Sequence, residues 1–214
     1  MGNMIVINDV SKYFKKQAAV CHVSVEFPSG QIVGIVGYNG SGKTVLLKMV
    51  CGLMLPSSGT IFVNGKQVGK DVDFPESIGI IIETPGFSPY ISGYENLMKL
   101  AAIKKKIGKQ EVFETLERVG LDPKSKKKVG NYSLGMRQRL GIAQAIMEEP
   151  EVLILDEPMN GLDRQGVKEM QALFLELKNQ GKTLVLASHH KEDIDICDEI
   201  YEMEHGVMKN LSSI

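Results

Sequence analysis

Short apolar runs rich in β-branched residues recur along the chain, and between them the apolar positions fall at helical spacing. Residues 5–7, 20–27 and 31–36 are predicted as strands. Residues 61–63, followed by Asn64-Gly65, are predicted as half of a tight hairpin, whose two central residues need positive φ. Residues 78–82, 152–155 and 183–187 are short and apolar on both sides, as strands covered on both faces of a sheet are. Helices are predicted over 43–51, behind a Gly-rich turn, and over 93–107, 109–119, 133–147 and 164–179. From about Phe87 to Met147 no strand intervenes, whereas both flanks alternate strand and helix. A helical lobe inserted into an α/β core is therefore expected.

Composition sharpens this to one domain over residues 1–214, with 43% hydrophobic positions and 25 Lys+Arg against 26 Asp+Glu, a formal net charge of −1. A balance so near neutral removes bulk attraction to nucleic acid, so no nucleic-acid partner is expected. Cys21, Cys51 and Cys197 are odd in number, far apart and in no CxxC or Cys/His spacing, which speaks for a reducing compartment and against a zinc site. The first ten residues, MGNMIVINDV, lack the basic start and long apolar run of a secretory signal. The longest apolar candidate for a membrane span, residues 45–55, is broken by Lys48, so a role at a membrane is expected to run through another chain. The lysine runs at Lys104–Lys106 and Lys124/Lys126–Lys128 read as solvated helix ends and loops, with contact to anionic headgroups or a partner as the alternative.

The chemistry starts at Gly37-Tyr38-Asn39-Gly40-Ser41-Gly42-Lys43-Thr44, a GxxxxGK[ST] match placed between a predicted strand and a predicted helix. Glycines let the backbone wrap closely, so that successive N–H groups and the helix N-terminus converge on phosphate oxygens. Lys43 adds a point charge and Thr44 a hydroxyl ligand for Mg²⁺. Glu151-Val152-Leu153-Ile154-Leu155-Asp156-Glu157 ends a buried strand in two carboxylates, which need a cation or a task. Asp156 is placed to hold Mg²⁺, and Glu157 to orient and deprotonate an attacking water.

Upstream lies Asn131-Tyr132-Ser133-Leu134-Gly135-Met136-Arg137-Gln138-Arg139-Leu140, with Ser133 23 positions before Asp156. A Ser hydroxyl and a Gly N–H at a helix start form a second anion site. With the other two motifs this string resembles the ATP-binding cassette family, whose LSGGQ signature maps onto Tyr132 to Met136, the Ser and the second Gly matching. The likeness runs from Met4 to about Met208. It implies an α/β fold: a P-loop NTPase core with a mixed sheet flanked by helices, an N-terminal antiparallel β part and a helical subdomain inserted at about 87–147. ATP and Mg²⁺ are the implied cofactors, and ATP hydrolysis the implied activity.

The same resemblance implies further roles. Ser133 and Gly135 of one copy would face ATP held by the loop of another in a head-to-tail dimer. Asp163, in Pro158-Met159-Asn160-Gly161-Leu162-Asp163, would reach across that dimer, and His189 would sense the γ-phosphate, with His190 the less fitting choice. Phe14, aligned better than Tyr13, would lie against adenine. Glu83 stands where the family usually carries a Gln that contacts Mg²⁺ and the water, and a carboxylate there accepts only and adds negative charge beside Asp156. The string Glu83-Thr84-Pro85-Gly86-Phe87, with Gly93-Tyr94-Glu95-Asn96-Leu97 behind it, resembles cassettes of bacterial peptide-antibiotic and lantibiotic immunity exporters. The expected protein is thus the ATP-hydrolysing subunit of a transporter, cytoplasmic and peripheral on the inner face of the cell membrane. A separate integral membrane permease would dock on the helical lobe near Glu83 to Tyr94. A soluble cassette ATPase and a non-hydrolysing regulatory module are the alternatives.

Overall fold

The computed structural model describes residues 2–83 and 86–211. Two sheets organise them. Strands β1 (Asn3–Phe14), β2 (Gln17–Pro28), β4 (Ser58–Val63) and β5 (Lys66–Gln67) form an antiparallel sheet in the order β2-β1-β4-β5. Strands β3 (Ile32–Val36), β6 (Ile78–Ile81), β7 (Val152–Asp156), β8 (Thr183–Ser188), β9 (Glu199–Glu204) and β10 (Val207–Asn210) form the other, in the order β10-β9-β3-β8-β7-β6. All neighbours in it run parallel except β10 on β9.

The mixed sheet is covered on both faces, as the unbroken apolar runs require. Ile32, Leu153, Leu155, Leu184 and Leu186 point to a core shared with helices α2 (Gly93–Lys104), α3 (Lys109–Arg118), α4 (Leu134–Ile146) and α5 (Arg164–Asn179). Val33, Ile35, Val152, Ile154 and Val185, one step out of phase, point the other way. There they meet α1 (Lys43–Val50) and the inner face of the antiparallel sheet. Between β6 and β7 the described residues run through α2, α3, a 3₁₀ turn (Val129–Asn131) and α4 without a strand. Phe174 of α5 is fully buried in the first core. Phe174→Ala is expected to cost about 3–5 kcal/mol, because transfer and cavity terms add. Urea unfolding should show this as a lower midpoint at unchanged slope.

Three segments depart from the sequence expectation. β1 is 12 residues long, where only residues 5–7 were expected as strand. Bulges with Asp9 at φ 47 and His22 at φ 48 break its register, so the apolar alternation of Ile5 and Ile7 resumes out of step at Val10. Helix α2 stops at Lys104 rather than at Ile107: Lys105 takes φ 54 and returns its N–H to the Ala101 carbonyl, closing the helix. The hairpin β9–β10 was not expected at all. It turns on His205 and Gly206, both at positive φ, and β9 alternates glutamates with Tyr201 and Met203, which are buried. Elsewhere, Asn64 at φ 49 and Gly65 at φ 75 make the expected tight turn between β4 and β5.

Candidate functional site

The phosphate loop is shaped by what its glycines avoid. A side chain on Gly37 would sit 2.2 Å from the Met203 carbonyl oxygen, and one on Gly42, at φ 112, would sit 2.4 Å from that of Ala19. Only glycine lets the loop lie this close to β9 and β2. Gly42 is also the N-cap of α1 and offers no side-chain acceptor, so the first N–H groups of the helix stay available to an anion.

Around this helix start the charged residues converge. Lys43 is buried, and its ammonium donates to the carbonyl oxygens of Gly37 at 2.5 Å and Tyr38 at 3.3 Å. Burial pushes its pKa below the usual lysine value, against the pull of Glu157 and Asp156. Thr44 Oγ1 donates to Asp156 Oδ2 at 2.6 Å. Asp156 Oδ1 is buried with no hydrogen-bond partner, and burial is the first cause of a raised Asp156 pKa, with Glu157 and Glu83 adding to it. An orphaned carboxylate oxygen beside a threonine hydroxyl suits a hard cation. Mg²⁺ takes one or two carboxylates and completes its shell with phosphates and water, and this pair of oxygen donors fits such a site.

Glu157 follows β7 at φ 51, its N–H anchored on the Ala187 carbonyl at 2.8 Å. Its Oε1 lies 4.0 Å from Lys43 Nζ and its Oε2 2.8 Å from His189 Nδ1. The structure thus places His189, just after β8, directly on the carboxylate; His190 packs against it, ring centroids 3.8 Å apart and planes tilted by 44°. Two contacts escaped the sequence reading. Gln138 Nε2 donates to the Glu157 carbonyl at 3.2 Å, and the Ser188 hydroxyl sits 3.4 Å from Glu157 Oε2 while donating to Asp193 at 2.7 Å. The signal for Gln138 was its place one turn along α4 from Leu134. Glu83, Leu134, Arg137, Gln138, Asp156, Glu157 and Asn160 line a cavity of about 230 Å³. A larger one, of about 530 Å³, opens beside β6 and the ends of α2 and α4, away from these carboxylates.

Other expected residues are held apart from this cluster. Ser133 is the exposed N-cap of α4, its Oγ accepting the Met136 N–H at 3.2 Å. Gly135 packs on the loop after β7, where a Cβ would sit 2.8 Å from the Gly161 carbonyl oxygen. Asp163 caps its own helix α5 by accepting the Gly166 N–H at 2.8 Å. Phe14, 47% exposed, ends β1 with Lys12 Nζ 5.6 Å from its ring centre, and Tyr13 beside it is equally open. Glu83, at φ 61, pairs with Lys48 of α1 at 2.5 Å at the edge of the cavity it shares with Asp156 and Glu157. Thr84 and Pro85 of the exporter-like string lie outside the described residues.

A phosphate loop followed by an acidic strand end is common to many nucleotide-binding proteins, and comparison with known families decides between them. The family model described as ABC transporter matches residues 20–160. The chain belongs to the ABC transporter family. The uncharacterized ABC transporter ATP-binding protein YybJ of Bacillus subtilis (strain 168) is 42% identical over 212 residues, 99% of this chain and 97% of that protein. The bacitracin transport ATP-binding protein BcrA of Enterococcus faecalis is 41% identical over 209 residues, covering 96% of this chain and 68% of that protein. The lantibiotic transport ATP-binding protein SrtF of Streptococcus pyogenes is 34% identical over 193 residues, covering 90% and 82%. A dimeric bacterial ABC transporter cassette superposes at a TM-score of 0.86 with 24% identity over 97% of this chain and 99% of its own, which shows the shared fold. As an ABC ATPase the chain binds ATP and hydrolyses it to power transport.

Proposed function

We propose that the chain works as a single ATP-binding domain, its segment 87–147 forming a helical lobe, in a head-to-tail pair that sandwiches ATP. The observation that carries this is the meeting, in one cleft, of the Gly37–Thr44 loop, the orphaned Asp156 oxygen and the Glu157–His189 pair. The loop N–H groups, the α1 N-terminus and Lys43 bind the phosphates, with Tyr38, Asn39, Gly40 and Ser41 shaping the cradle and Phe14 flanking the base. Thr44 and Asp156 would hold Mg²⁺, with Glu83 at the rim, and the ion would supply positive charge against the phosphates. Ser133 and Gly135 of the second copy complete the pocket, and Asp163 lies at the same seam.

Glu157 orients a water against the γ-phosphorus and takes its proton as the bond to the β-phosphate oxygen breaks. His189, already on Glu157 Oε2, fixes the carboxylate. A ring N–H offered to the transferred phosphoryl group is its share of transition-state stabilisation. With the pocket closed, water is excluded and these dipoles act at low dielectric.

No helix among the described residues is long and apolar enough to cross a membrane, so the work is delivered to a membrane-spanning permease at the cytoplasmic face. Its docking surface is the helical lobe near Glu83 to Tyr94, where Tyr90 is 78% exposed. Two of the relatives above are named for bacitracin and lantibiotic transport, and export of antibiotic peptides is the cargo class this favours. A phosphate-release assay on the purified chain, alone and with the integral membrane protein that co-purifies with it, tests the reading. Turnover is expected to require Mg²⁺ and to stop on chelation. Absence of phosphate release in both preparations would leave a regulatory module in its place.

A further inference from the structure

Helix α1 presents two polar side chains one turn apart, Thr44 and Lys48, and each engages a carboxylate at the same cleft. Thr44 Oγ1 reaches Asp156 at 2.6 Å, and Lys48 Nζ reaches Glu83 at 2.5 Å. Glu83 is set up for this by its backbone: at φ 61, just after β6, the chain leaves the sheet and the side chain swings back over the last turn of α1. Glu83 also lines the cavity shared with Asp156 and Glu157, and its charge is felt at Asp156. A polyanionic ligand entering this cleft meets the carboxylates of Asp156, Glu157 and Glu83, with the Lys43 ammonium set 4.0 Å from Glu157. The Lys48–Glu83 pair is partly open to water, 27% and 66% exposed, so it adds little to folding stability. Its consequence lies in the electrostatics of the site.

We infer that Lys48 is a positioning residue of the nucleotide site, holding Glu83 at its rim as a neutral ion pair so that a third carboxylate neither repels the phosphates nor over-binds the metal. This rests on the nucleotide reading above and adds to it a residue outside the phosphate loop. The quantity that isolates it is the metal dependence of binding. The dissociation constant of a fluorescent, non-hydrolysed β,γ-imido ATP analogue is measured with excess EDTA and with Mg²⁺, and the ratio of the two is compared between variants.

Lys48→Met bares the Glu83 carboxylate, which weakens metal-free binding and strengthens the pull on Mg²⁺, so the ratio is expected to rise about three- to tenfold. Glu83→Gln bares Lys48 and is expected to move the ratio by a similar factor in the opposite direction. The double variant, neutral at both positions, is expected to return to the wild-type ratio, and Lys48→Arg to stay there throughout. A purely structural role would shift both single variants the same way. An unchanged ratio in Lys48→Met, same-direction shifts, or a double variant that fails to return overturns the pairing while leaving the nucleotide site intact. A wild-type chain that binds the analogue equally with and without Mg²⁺ overturns the pairing alone, and one that does not bind it at all overturns the pairing and the nucleotide reading together.

Discussion

Glu157→Gln is expected to cut phosphate release by about 10²–10⁴-fold, the range for loss of a positioned general base, while leaving nucleotide binding in place. The amide keeps the shape of the carboxylate and an oxygen toward His189, now 2.8 Å from Glu157 Oε2, but it cannot take the water's proton. Nucleotide affinity is expected to hold or tighten, because a negative charge 4.0 Å from Lys43 has gone and the triphosphate meets less repulsion. With hydrolysis blocked and binding kept, two copies should remain closed on ATP. Size-exclusion chromatography with light scattering in ATP and Mg²⁺ should then find a stable dimer where the wild type cycles back to monomer. A variant that still turns over and stays monomeric would show that the proton goes elsewhere and would remove Glu157 from the centre of the site.

The two most legible parts of this site were contiguous in the chain. Gly37 to Thr44 announces itself because a backbone that must wrap an anion needs glycine at fixed steps, and Gly37 and Gly42 prove to be positions where any Cβ would strike a carbonyl oxygen. The strand before Asp156 was equally plain, since residues buried on alternating faces by two different cores have to be apolar at every step. What stayed hidden depends on residues far apart. Lys48 and Glu83 are separated by 35 positions, and their pairing follows from a left-handed backbone turn that a glutamate does not advertise. Gln138 supports Glu157 through a backbone carbonyl, which leaves no mark on the partner's residue type. In the fold, the full length of β1 is masked by a bulge that resets the alternation on which strand recognition rests, and β9–β10 turns on His-Gly, a weaker hairpin signal than Asn-Gly.

Lys43→Ala is expected to weaken ATP binding by roughly 10–150-fold, the equivalent of about 1.5–3 kcal/mol for hydrogen bonds to a charged group. The true loss should lie toward the upper end, because without the ammonium the carboxylates of Asp156 and Glu157 face the phosphates unscreened. Stability should not follow the same course. Burial lowers the Lys43 pKa, so the charged form is less at home in the fold than in the unfolded chain, and removing it relieves an electrostatic cost that is present below the folded-state pKa. The lost donations to the Gly37 and Tyr38 carbonyls oppose this, and water can replace them in an open loop. The melting temperature without nucleotide is therefore expected to stay within a few degrees of wild type, since 1 kcal/mol shifts a chain of this size by about 2–4 °C. The stabilisation that ATP confers on the wild type should largely vanish, because it scales with ligand concentration over the dissociation constant. Thermal melts across an ATP titration measure both quantities on one sample. Unchanged ATP-induced stabilisation would mean that the phosphates are held without Lys43, and the loop would then bind through its N–H groups alone.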